Sequence, residues 1–235
     1  MNQKFTTILW DVDDTLLDFG YSQRYALGKC FGSIGREITE EETALYARIN
    51  NDYWKRLELG QISKKELLPG RFLTLFSALG IGGVNLEAFC QEYQDALGSV
   101  FSFLDDSLTI CRKLQGCVKQ YVISNGVAVT QYRKLKLSGL DKVMDGIFIS
   151  EQVGYHKPDE RFFVHCLKHI MEKDKGRILV VGDSLSSDIK GGIGAGLPTC
   201  WYNKDGIANN SSYKPDYEIS CLSKIVDIVA GEGGA

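Results

Sequence analysis

The sequence predicts an α/β protein: a parallel sheet covered by helices on both faces, with an all-helical domain inserted after its first strand. Three observations carry that expectation. After residue 104, short β-branched or aromatic runs alternate with helical patterns, as parallel strands joined by helical crossovers require. From residue 20 to about 103, helical stretches dominate and no alternating strand stands out. Ahead of both, "FTTILW" (5–10) reads as a buried strand that runs straight into "DVDD" (11–14).

Taken in chain order, the later strands are "VKQYVIS" (118–124), "GIFIS" (146–150), "RILVVG" (177–182), "PTCWYN" (198–203) and a short "YEI" (217–219). Helical patterns fall near 106–115, 127–138, 158–172, 186–195 and 222–230. Pro158 suits a first helical position, with Asp159 and Glu160 facing the positive helix end. Gly116, Gly139 and Gly196 sit where helices should stop. The insert carries "TEEETALYARINNDYWKRLELG" (39–60) and "KKELLPGRFLTLFSALG" (64–80). The expected division is a core of residues 1–17 and 105–235 around a helical domain of 18–104, with the tail "GEGGA" (231–235) disordered.

Composition narrows the function classes. A net charge of -3 argues against a nucleic-acid binder, which is usually basic, but leaves a small anionic substrate open. Seven scattered cysteines with no C-x-x-C pair read as reduced, mostly buried thiols, without a disulfide framework or zinc site. The N-terminus lacks the pattern of a secretory leader and no apolar run is long enough for a bilayer, so a cytoplasmic protein with no membrane partner is expected. The sequons at Asn209 and Asn210 then read as a polar turn. A monomer or small homo-oligomer fits equally well.

The chemistry lies at the strand ends, where open α/β sheets bind ligands. Strand one delivers Asp11 and Asp13; the next delivers Ser124, Asn125 and Gly126; "RILVVGDSLSSD" delivers Asp183, Ser184 and Asp188. Lys157 stands just before a helix start. Four carboxylates against one ammonium leave a charge of about -3, which a half-buried crevice does not hold without a cation. Oxygen donors with no histidine among them favour a hard ion, Mg²⁺ foremost. Such an ion bridges to a phosphate oxygen, while Ser124, the turn amides and Lys157 suit the other phosphoryl oxygens. One carboxylate is then free to attack phosphorus, and a second, two residues on, can serve the leaving oxygen as acid and base.

"DVDDTLLDF", "VISNG", "GYHKPD" and "VVGDSLSSD" resemble, in chain order, the four motifs of the haloacid dehalogenase superfamily. The resemblance implies a Rossmann-like core with a C1-type helical cap. It makes Asp11 the residue that forms an aspartyl-phosphate and Asp13 the general acid and base. Mg²⁺ would be held by Asp11, the backbone carbonyl of Asp13, and Asp183, with Asp188 holding metal-bound waters or serving as a further ligand. Ser124 and Lys157 would hold the phosphoryl group. An acid at position 13 is similar to the phosphotransferase branch, because the dehalogenase and phosphonatase branches lack it. "GRF" in the cap, "ISEQVGYHKPD", "GDSLSSDIKGGIGAGLPTCWYN" and "YKPDYEI" together resemble bacterial noncanonical pyrimidine nucleotidases. That likeness implies a pyrimidine nucleoside monophosphate as substrate. "FLDDS" departs from it, standing where relatives often have a Pro-Gly turn.

Other features have duller readings. Tyr46, Asn50, Tyr53 and Trp54 share one helix face and either stack on a base, with Tyr53 and Trp54 the candidates, or pack a core. Arg71 either steers a phosphate or base oxygen or is simply paired within its helical surroundings. His165 and His169 have a metal-ligand spacing but no third ligand nearby in sequence. "GGIGAG" (191–196) follows a helix pattern rather than opening one, so close packing explains it better than a dinucleotide loop. Three functional readings remain: a Mg²⁺-dependent phosphomonoesterase on nucleotides, a sugar-phosphate phosphatase or phosphomutase on the same core, and a non-catalytic phospho-receiver. "DVDDT" in place of a "DxDG" favours the hydrolase over the mutase, and a receiver has no use for Asp13 and a large insert.

Overall fold

The structure is a computed structural model that describes residues 3–232. The chain divides into two compact units, residues 1–19 with 101–235, and residues 20–100.

In the α/β unit, β1 (Thr7–Trp10), β2 (Lys119–Ser124), β3 (Gly146–Ile149), β4 (Ile178–Gly182), β5 (Thr199–Tyr202) and β6 (Tyr217–Ile219) form one parallel sheet in the order β3-β2-β1-β4-β5-β6. The chain winds outward from β1 to β3, then returns to the other side of β1 for β4. The strand order therefore reverses between β1 and β4, where such sheets open a ligand crevice. Trp10 is level with Val122 on one side and Val181 on the other, so the residues that follow these strands come out side by side.

The sheet is buried on both faces, and alternate side chains feed two cores. Ile8, Trp10, Val122, Leu179 and Val181 lie in one core, which also takes Ile110 and Leu114 of α5 (Ser107–Leu114), Leu135 of α6 (Ala128–Ser138) and Ile225 and Ile228 of α10 (Lys224–Ala230). Leu9, Ile123, Ile178 and Val180 lie in the other, against Phe162, Phe163 and Cys166 of α8 (Glu160–His169).

Several boundaries differ from the sequence reading. Ser150 opens the short helix α7 (Ser150–Val153) instead of ending β3. Pro158 is not the first helical residue: Asp159 caps α8, its carboxylate accepting from the Arg161 N–H at 2.9 Å. The expected helix 186–195 begins as a wide π turn, Leu185–Ile189, before α9 (Lys190–Gly194). Within it, a Cβ on Gly191 would strike the Phe163 ring and one on Gly192 would strike Thr199, so the glycines of "GGIGAG" serve close packing. Asp105 and Asp106 of "FLDDS" both take left-handed backbone, φ 46° and 53°. Of the "GEGGA" tail, residues 233–235 lie outside the described residues; Gly231 closes α10 in a left-handed cap.

The helical unit holds α2 (Glu40–Glu58), α3 (Lys64–Leu79), α4 (Leu86–Leu97) and almost all of α1 (Phe19–Ser33). Thr39 with Glu42 and Ser63 with Glu66 form capping boxes that start α2 and α3. Its core is aromatic: Tyr46 stacks on Phe72 at 5.1 Å between ring centroids, and Phe72 meets Tyr93 edge-on at 4.9 Å. Among the described residues no helix is long and apolar enough to cross a membrane. The seven cysteines are free thiols, four of them buried.

Candidate active site

The residue after β1 is the hub. Asp11 continues the ladder through its N–H to the Val181 carbonyl at 2.9 Å, which fixes its backbone between β1 and β4. Its Oδ1 accepts from the Lys157 ammonium at 2.6 Å and its Oδ2 from the Thr15 hydroxyl at 3.1 Å. Lys157 is only 1% exposed, and three acceptors surround its Nζ: Asp11 Oδ1, Asp188 Oδ1 at 2.7 Å and the Ile123 carbonyl at 2.8 Å.

Asp188 reaches this point because of the π turn and a glycine. A Cβ on Gly182 would occupy the space of the Asp188 carboxyl, so glycine at the end of β4 makes room for it. The second Asp188 oxygen accepts from the Ser184 N–H at 3.2 Å. Asp183 follows Gly182 directly; its N–H donates to the Thr15 hydroxyl at 3.1 Å and its carbonyl accepts from the Trp201 indole at 2.7 Å. One carboxylate oxygen each from Asp11, Asp183 and Asp188 lie within 4.8 Å of one another.

The charge balance leaves its mark on the acids. Burial pushes Asp11 up to about 7, with Asp188 and Asp13 adding to the rise and Lys157 opposing it. Asp183 is raised well above the usual carboxylate range by burial first, then by the charges of Asp11 and Asp188. Burial opposes the charge on Lys157, but Asp11 and Asp188 together outweigh it and hold that group above the ordinary lysine value. Fully ionised, Asp11, Asp183 and Asp188 would outnumber the one ammonium by about two charges, which an incoming cation would balance. The donors are all carboxylate oxygens, so the residues present fit a hard divalent ion such as Mg²⁺.

Ser124 ends β2, is 2% exposed, and accepts from the Gly126 N–H at 3.0 Å, which leaves its own proton to donate. Asn125 grips the backbone of Lys157 on both sides: its Nδ2 donates to the Lys157 carbonyl at 2.8 Å and its Oδ1 accepts from the Lys157 N–H at 2.9 Å. Asn125 thus sets where Lys157 stands. Asp14 takes a left-handed turn position, φ 61°, with Oδ1 accepting from the Phe19 N–H at 3.3 Å. Burial pushes its carboxyl up to about 6, against the opposing charge of Lys204.

Asp13 faces partners that the sequence reading did not find. Lys134 donates to its Oδ1 and Gln131 to its Oδ2, both from α6. The count of four carboxylates against one ammonium is therefore corrected: a second lysine is present, dedicated to Asp13. Thr15 was legible in principle, being a hydroxyl four residues past Asp11 inside "DVDDT". Lys134 was not, because "RKLK" reads as a solvated helix face.

The cap candidates are engaged within the helical unit. The Tyr53 ring covers Gly70, where a Cβ would stand 2.6 Å from it, and its hydroxyl pairs with Thr74 at 2.9 Å. Lys64 lies over the Trp54 ring at 6.0 Å. Arg71 is 2% exposed and donates to Asn50 Oδ1 at 2.6 Å. His165 and His169 stack on each other at 4.4 Å, and no third ligand joins them among the described residues.

Comparison with known proteins gives the family. The family model described as haloacid dehalogenase-like hydrolase matches residues 5–196. The chain is 34% identical to the pyrimidine 5'-nucleotidase PynA of Streptococcus pneumoniae, over 94% of this chain and 93% of that one. It is 30% identical to the pyrimidine 5'-nucleotidase YjjG of Escherichia coli, over 96% and 98% respectively. The crystal structure of the HAD-hydrolase YfnB of Bacillus subtilis, described as bound to magnesium, superposes with a TM-score of 0.91 at 34% identity, covering 96% of this chain and 99% of that one.

Proposed function

The chain belongs to the haloacid dehalogenase-like hydrolases, and on that premise we propose that it is a Mg²⁺-dependent phosphomonoesterase acting on pyrimidine nucleoside 5'-monophosphates. The observation that carries the reading is Asp11, held by Lys157 and Thr15 beside Asp183 and Asp188 at the switch point of the sheet.

In this reading Asp11 attacks phosphorus and the bond from phosphorus to the ester oxygen breaks, forming an aspartyl-phosphate. Asp13 gives its proton to the departing alcohol, then takes one from the water that releases inorganic phosphate. Lys157 favours the ionised form of Asp11 and, with Ser124, stabilises charge on the phosphoryl oxygens. Asn125 fixes Lys157, and Thr15 orients Asp11 against Asp183. Mg²⁺, held by Asp11, Asp183 and the Asp13 carbonyl, with Asp188 beside it, would neutralise the surplus negative charge and polarise the phosphoryl group.

Support for the nucleotide comes from PynA and YjjG, both matched over nearly their whole length. The test is a panel of dUMP, dTMP, glucose 1-phosphate and further sugar phosphates, with and without Mg²⁺. Metal-dependent phosphate release that is fastest from the pyrimidine nucleotides is expected. Isomerised sugar phosphate without free phosphate would overturn the hydrolase reading.

A further inference from the structure

The two aspartates of "DVD" each have a buried lysine, and only one of those lysines belongs to the site as read from the motifs. Lys157 serves Asp11; Lys134 serves Asp13. Lys134 lies on α6, whose neighbouring Arg133 and Lys136 are exposed, yet its own side chain is fully buried. Burying an ammonium is costly unless an anion meets it. The anion here is Asp13, which lies 121 positions away in sequence. The Lys134 Nζ also sits over the Phe19 ring at 5.8 Å.

Gln131 lies one helical turn earlier on the same face and takes the other Asp13 oxygen. Its route depends on Gly126: a Cβ there would collide with the Gln131 amide group, so the glycine of "SNG" clears the path from α6 to Asp13. Both carboxyl oxygens are thereby held from one side. Without these donors, a side chain that is 26% exposed would be free to change rotamer.

We propose that Lys134 and Gln131 are positioning residues that fix the direction of the Asp13 carboxyl and so govern proton delivery to the leaving alcohol. The inference rests on the reading of Asp13 as the proton carrier. A misdirected acid harms esters of poor leaving groups most, because a stable leaving anion needs little protonation. A buried pair that only braced α6 would affect all esters alike.

The experiment compares p-nitrophenyl phosphate with dUMP in Lys134→Met, Lys134→Arg and Gln131→Leu, with Asp13→Asn alongside. For Lys134→Met, the ratio of first-turnover rates, nitrophenyl over nucleotide, is expected to rise about 10–100-fold, through kcat with KM for dUMP unchanged. Lys134→Arg restores most of the nucleotide rate, and Gln131→Leu shows the same bias to a smaller extent. Gln131→Leu keeps the ion pair, so it decides the matter even if Lys134→Met does not fold. An unchanged ratio in Gln131→Leu, and in Lys134→Met where it folds, with Asp13→Asn still losing nucleotide turnover, overturns this inference alone. If Asp13→Asn spares dUMP hydrolysis, the reading of Asp13 is wrong and the inference falls with it.

Discussion

Both units of the molecule bury cations, and Lys157 in the one and Arg71 in the other are neutralised in opposite ways. In the α/β unit, Lys157 meets two carboxylates and a carbonyl, with a third acid, Asp183, close by. In the helical unit, Arg71 has no carboxylate partner among the described residues. It donates to the Asn50 amide oxygen and the Leu68 carbonyl, and lies 5.1–6.0 Å from the rings of Tyr46, Phe72 and Tyr93. The first arrangement carries surplus negative charge and is set up for a cation and a phosphate. The second is satisfied by dipoles and π faces and holds three helices together. Burial of a cation is therefore not by itself a mark of chemistry; the unbalanced charge around it is.

Breaking the first arrangement should have the larger effect. Lys157→Met leaves Asp11 and Asp188 buried without their cation, so nucleotide turnover is expected to fall at least roughly 100-fold. Unfolding of the metal-free variant by denaturant should show a loss of about 3 kcal/mol. Arg71→Met should instead cost about 2 kcal/mol of stability by leaving Asn50 Oδ1 without its donor, with turnover per folded molecule little changed. A variant of unchanged stability but raised KM for dUMP would instead place Arg71 in substrate recognition.

A smaller effect sharpens the same contrast through pH. Asp11 is raised to about 7 and Asp183 is also raised, so the folded metal-free protein binds more protons than the unfolded chain between the ordinary carboxylate range and about pH 7. These groups therefore make the metal-free protein less stable as pH rises through that window. Mg²⁺ must displace the same protons, so its stabilisation should grow as pH rises from about 5 to 7.5. The Tm difference between Mg²⁺ and EDTA, measured across that range, checks this; a flat difference would mean the acids are already ionised.

What the sequence made legible follows the same division. Six strands could be read because buried strands are continuous apolar runs, and acids stand directly after β1 and β4. Lys157 was visible through its company: a Lys-Pro pair alone means little, but this one falls between Ser124 and Asp183 in the series of strand-end residues. Lys134 and Gln131 were hidden because helix periodicity does not separate a buried lysine from a solvated one when its partner lies 121 positions away. Pro158 stands outside α8, since Asp159 offers the better cap. In the helical unit the capping boxes mark where α2 and α3 begin, but no pattern distinguishes the packed Tyr46 from the partly exposed Tyr53 on one face.

Phosphorylation of Asp11 is what a rapid acid quench detects. Wild-type protein mixed with Mg²⁺ and phosphate-labelled dUMP should carry transient label on the peptide containing Asp11. Asp11→Asn should carry none and hydrolyse the nucleotide at least about 1000-fold more slowly. Label on another residue, or undiminished turnover by Asp11→Asn, would contradict the account.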